Sequence, residues 1–61
     1  MKKYVEWTDE KGKTIRLRFE GNREQAERAT FSISTVWKSE STKLIIEENG
    51  AQKTVFEIIR K

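Results

Sequence analysis

The sequence predicts an α+β protein built on an antiparallel sheet with one short helix. Three observations predict it. Alternating apolar runs flank a turn at Asp9–Lys13, a second pair of apolar runs flanks Asn49-Gly50, and Gly21-Asn22 opens a helical stretch between them. The element order reads ββαβββ, with the strands forming a curled sheet or a small, partly open barrel. The alternative order is ββαββ, a grasp-type sheet under a longer helix over 22–38.

The first hairpin carries the most order-defining information. Val5 and Trp7 alternate with Tyr4, Glu6 and Thr8, and Ile15, Leu17 and Phe19 alternate with Thr14, Arg16 and Arg18. A three-residue loop Glu10-Lys11-Gly12, with Gly12 left-handed, pairs Asp9 with Lys13. That register sets Trp7 opposite Ile15 and Val5 opposite Leu17, all on one face. Glu6 then faces Arg16, and Tyr4 faces Arg18, on the other.

Asn22 is a good helix N-cap, and Glu24 and Gln25 fall in the first turn. Ala26 and Ala29 share a face, and the helix is expected from about Arg23 to Thr30. Thr30 to Trp37 is β-branched, aromatic and Ser-rich, which favours a strand over that span. The alternative keeps Ala26, Ala29, Ile33 and Trp37 on one helical stripe as far as Lys38. In the strand reading, Ser39-Glu40-Ser41 turns one strand into the next.

Lys43–Glu48 and Lys53–Arg60 form the last hairpin around Asn49-Gly50, the strongest short hairpin signal. Leu44-Ile45-Ile46, Val55-Phe56 and Ile58-Ile59 break strict alternation. These strands are therefore expected to be covered at least partly on both faces.

Composition narrows the function. At 61 residues the chain is one domain, 1–61, without room for a large cleft. It contains neither cysteine nor histidine, which removes disulfides, most zinc chemistry and every Ser-His or Cys-His pair. No cofactor or metal site is expected, and an enzyme is disfavoured on inventory. No apolar run is long enough for a membrane span, and no targeting signal is read, so a soluble protein, cytoplasmic or recombinant, is expected. Mean hydropathy is −0.84 and the net charge is +3, a mild excess that sits towards the first hairpin.

Glu47-Glu48 and Asp9-Glu10 are the paired carboxylates. Neighbouring strand residues point to opposite faces, and turn carboxylates are solvated, so neither pair forms an acid–base site. Gly12, Gly21 and Gly50 are scattered one per turn and make no phosphate loop. Trp7 and Trp37 read as core anchors. The candidate functional set is basic and aromatic: Tyr4, Arg16 and Arg18 on the outer face of the first hairpin, with Lys13 at its tip. A twisted hairpin so equipped can enter a nucleic-acid groove.

Two resemblances add to this. Trp7, Asp9, Gly12-Lys13, Arg16, Arg18, Phe19 and Gln25-Ala26-Glu27 lie in the order found in the arm-type DNA-binding domain of tyrosine recombinases, which residues 4–30 resemble. That resemblance implies DNA contact through Arg16 and Arg18. The whole chain also resembles de novo designed small α/β proteins, in which turn chemistry, capping and charge pattern agree throughout. Three functions follow as expectations. The first is a self-standing scaffold that needs no partner, the second a small nucleic-acid-binding module, and the third a protein-interaction module using an exposed edge strand. Monomer and homodimer both remain open.

Overall fold

A computed structural model describes residues 1–60. Its elements are β1 (Lys2–Thr8), β2 (Thr14–Phe19), α1 (Arg23–Trp37), β3 (Ser41–Glu48) and β4 (Ala51–Ile59). The four strands form one antiparallel sheet in the order β2-β1-β3-β4, with α1 on one face. The α+β class holds. The sheet is open, however, and does not curl shut into a barrel. Among the described residues no helix is long and apolar enough to cross a membrane.

The first hairpin has the register its turn chemistry demands: Trp7 pairs with Ile15, Val5 with Leu17 and Glu6 with Arg16. Asp9 organises the turn. Its Oδ1 accepts from the Lys11 and Lys13 amides, each at 2.9 Å, and its own amide donates to the Lys13 carbonyl at 2.9 Å. Gly12 sits at φ +82°, the left-handed position that closes such a loop. In the second hairpin Asn49 and Gly50 have φ +54° and +80°, as a type I′ turn requires at both central positions.

The expected strand over 30–37 is absent, because α1 continues through Trp37 and the order is ββαββ. The topology explains this. Strands β2 and β3 both flank β1 antiparallel, so they run parallel to each other, and the chain must cross the full sheet between them. Fifteen helical residues rise about 22 Å, close to the length of a strand here, whereas eight would rise only about 12 Å. The β-branched residues are accommodated locally. Thr30 Oγ1 donates to the Ala26 carbonyl at 2.8 Å, and Thr35 Oγ1 donates to the Phe31 carbonyl at 3.1 Å. Lys38, in the left-handed region, stops the helix, and Ser39 turns it into β3 by donating to the Ser41 carbonyl. Ser39-Glu40-Ser41 is thus a helix-to-strand turn rather than a strand-to-strand one.

The helix start follows its capping chemistry. The Asn22 side chain accepts from the Gln25 amide at 2.8 Å, and the Gln25 side chain accepts from the Asn22 amide at 3.0 Å, a reciprocal capping box. Small residues, Ala26, Thr30 and Ser34, form the buried stripe of α1 and bring it close to the sheet. Val5, Trp7, Ala26 and Leu44 make the core, with Ile15, Phe19, Ile33, Val55 and Phe56 packed around them. Trp37 is only half covered, its ring 5.5 Å from that of Trp7.

The broken alternation in the last hairpin has two causes. A bulge between Leu44 and Ile45 pairs Leu44 with Phe56 and Ile45 with Thr54, leaving Val55 as the extra residue. Val55 and Phe56 can therefore both reach the core. Ile45 points to the face away from the helix yet is only 6% exposed, flanked by its cross-strand partners Tyr4 and Thr54. Coverage on both faces holds for β3 but not for β4, whose residues Gln52, Thr54, Glu57 and Ile59 on the face away from the helix are exposed.

One core contact is imperfect. Trp7 and Thr42 are cross-strand partners, both buried, and neither Trp7 Nε1 nor Thr42 Oγ1 meets a hydrogen-bond partner among the described residues. A buried hydroxyl without a partner costs on the order of 1–3 kcal/mol. Thr42→Val keeps the shape and removes the hydroxyl, so its urea midpoint should rise, corresponding to a gain of about 1 kcal/mol. A lower midpoint would mean that the hydroxyl is engaged in solution.

Candidate functional site

The basic and aromatic set divides in the structure. Tyr4, Arg16 and Arg18 do share the sheet face opposite the helix, while Lys13 lies at the exit of the first turn, exposed. Arg16 is already committed. Its Nε and Nη2 donate to Glu6 Oε2 at 3.0 and 2.7 Å, its Nη2 reaches Gln52 Oε1 at 3.4 Å, and its guanidinium lies 5.2 Å over the Tyr4 ring. Gln52 in turn donates to Glu47, which pairs with Lys2 at 3.9 Å. A polar network thus crosses all four strands on the face where Ile45 is buried. By register this face carries Lys2, Arg16, Arg18 and Lys43 against Glu6, Glu47 and Glu57, so its charge is nearly balanced. Arg18 is the freer arginine. Its contact is Glu20, 3.3 Å away, with both side chains largely exposed.

Catalytic geometry is sparse. A shallow hollow at one end is lined by Thr8, Asp9, Glu10, Gly12, Lys38 and Glu40. The Asp9 carboxylate in it is spent on closing the first turn. Among the described residues no cluster of three acidic side chains is placed to hold a metal.

The two edges of the sheet differ in a way sequence reading missed. The edge at β4 is blunted three ways: the bulge at Val55 bends it, Lys53 sits on its helix-facing side, and Arg23 Nη2 donates to the Val55 carbonyl at 3.1 Å. The edge at β2 has none of these devices. It is regular, and the residues on its helix side are Ile15, Leu17 and Phe19. The Asp9–Lys13 amide bond fixes the hydrogen-bonding phase of the hairpin. Ile15, Leu17 and Phe19 then bond to β1, and the amide and carbonyl groups of Thr14, Arg16 and Arg18 point outward. Among the described residues no strand lies beyond them.

The apolar side of this edge is open as well. A helix about 10 Å wide cannot cover four strands spaced about 4.8 Å apart. Helix α1 packs on β3, β1 and β4, and Leu17 in the middle of β2 remains 54% exposed. Phe31, Val36 and Ile59 are also exposed, Phe31 and Ile59 bordering one groove beside β4. Leu17 differs because it adjoins a regular strand edge, whereas Ile59 lies on the bulged one. The readable signal was Lys53, which falls on the helix-facing side of the last strand and marks that edge as the protected one.

Fold and site together define a small open-faced α+β module, one sheet edge guarded and the other bare. No family model, curated protein or solved structure matches this chain.

Proposed function

We propose that this protein is a non-catalytic protein-interaction module that docks an extended segment of a partner along the free edge of β2. The observation that carries this reading is the asymmetry of the two edges. Unpaired strand edges are templates for another chain, and proteins that gain nothing from them blunt them. Here β4 is blunted by its bulge, its inward lysine and the arginine on its carbonyl, whereas the backbone groups of β2 are open and its charges, Arg16 and Arg18, lie on the outer face alone. Leu17 beside the open edge supplies apolar area for a docked strand to cover. The commitment of Arg16 to Glu6 and Tyr4, on a nearly neutral face, favours this reading over nucleic-acid binding.

Arg18→Pro tests it. Arg18 faces Tyr4 in a pair that shares no backbone hydrogen bonds, so proline there removes only an outward amide and leaves the hairpin ladder intact. Peptides selected on the wild-type protein from a displayed random library are expected to bind Arg18→Pro at least about tenfold more weakly, with its circular dichroism unchanged. Equal binding to a folded Arg18→Pro protein would overturn the reading.

A further inference from the structure

The chemistry of the β2 edge says more about the docked segment than that it is extended. Its outer side presents Arg16 and Arg18 two residues apart, and its helix side presents Ile15, Leu17 and Phe19. We infer that the partner segment alternates acidic and apolar residues, with an acidic side chain opposite Arg18 and apolar ones against Leu17. This rests on the edge-docking reading above.

The alternation follows from strand geometry. A strand paired to β2 places every second side chain on the outer face, where directly opposed residues lie about 5 Å apart. Opposite charges at those positions stabilise the pairing and like charges oppose it. Arg18 holds only the exposed Glu20, a weak competitor, and is free to donate to a carboxylate on the docked strand, whereas Arg16 stays paired with Glu6. The intervening side chains fall on the helix side, over Leu17 and next to the half-buried Ile15 and Phe19. A charge there would be desolvated against carbon, so those positions require apolar residues.

A second copy of this chain meets the opposite situation in the two registers centred on the exposed Leu17 or on Arg16. Two β2 edges related by a twofold axis through Leu17 would set Arg16 against Arg18 of the other copy. An axis through Arg16 would set that residue against its own counterpart. Either register repels. The free β4 edge of another copy carries its bulge and Lys53, which would bring a cation to the apolar side.

The test uses two capped peptides of about seven residues, one alternating valine with glutamate and one alternating valine with lysine. Each is titrated into isotope-labelled protein and followed by amide chemical shifts and hydrogen exchange. The glutamate peptide is expected to protect the Thr14, Arg16 and Arg18 amides and to bind about tenfold tighter than the lysine peptide. Arg18→Glu, which leaves the Arg16–Glu6 pair in place, should narrow or invert that preference. Equal protection of the β2 amides by both peptides would overturn the acidic preference while leaving edge docking intact. Shifts confined to Tyr4 and Lys43 on the outer face, or a wild-type dimer with protected β2 amides, would overturn both the preference and the docking of a partner strand. No binding by either peptide, with β2 amides freely exchanging, would do the same.

Discussion

Trp7→Ala is expected to leave the protein largely unfolded at room temperature. The buried apolar set among the described residues is small: Val5, Trp7, Ala26, Leu44 and Ile45. Trp7 is the largest of these, 4% exposed, in contact with the core cluster and with its ring 5.5 Å from Trp37. Truncating a buried Trp to Ala costs about 3–5 kcal/mol. A domain of 61 residues has only about 3–9 kcal/mol of total stability, so the two quantities are comparable. Urea unfolding followed by far-ultraviolet circular dichroism should show a midpoint near zero or no cooperative transition. Trp7→Phe is the control. It keeps an aromatic ring and removes the unpartnered Nε1, so its loss should stay below about 2 kcal/mol. A Trp7→Ala midpoint equal to that of the wild type would show that the core does not depend on this residue.

Gly21→Ala should cost about 2–3 kcal/mol, the largest effect among the three glycines. Gly21 has φ +149°, a conformation that side-chain-bearing residues rarely adopt. A Cβ there would also lie 2.8 Å from the Phe19 ring and 2.8 Å from Gln25 Oε1. Gln25 Oε1 is the arm of the capping box that accepts from the Asn22 amide. Relieving the contacts therefore means both tilting Phe19 away and displacing the Gln25 side chain from that cap bond. Gly12 and Gly50 have φ near +80° but open space around them, so alanine at either should cost only about 1 kcal/mol. Urea midpoints of the three variants give the ranking directly. A Gly21→Ala midpoint above that of Gly12→Ala would refute the steric argument.

The edge-docking proposal depends on the same packing. Helix α1 is held on the β4 side of the sheet, where Arg23 donates to the Val55 carbonyl. Every strand the helix covers there is one it cannot cover at β2. The exposure of Leu17 and the seating of the core at Trp7 and Leu44 are thus consequences of one geometric shortage, a single helix over four strands.

Local chemistry determined the hairpins, and it was legible in the sequence. Asp9 and Gly12 define one turn within five residues, Asn49-Gly50 defines the other, and the Asn22–Gln25 cap starts the helix. The alternation of Val5 and Trp7 with Ile15 and Leu17 fixed the first register because a one-residue slip would turn every apolar side chain to the wrong face. Only the tertiary structure decided the rest. Helix α1 runs through Thr30 to Trp37 against local β propensity, because the chain must cross the length of the sheet to bring β3 alongside β1, and burial of the Thr30 and Ser34 stripe outweighs a preference of under about 1 kcal/mol per residue. The candidate site was half legible. Tyr4, Arg16 and Arg18 fell on one face as their alternation required, but the pairing of Arg16 with Glu6 and Gln52, the free edge beside it and the exposure of Leu17 depend on strand order and on where the helix sits. Those are properties of contacts between residues far apart in the chain, and no local pattern encodes them.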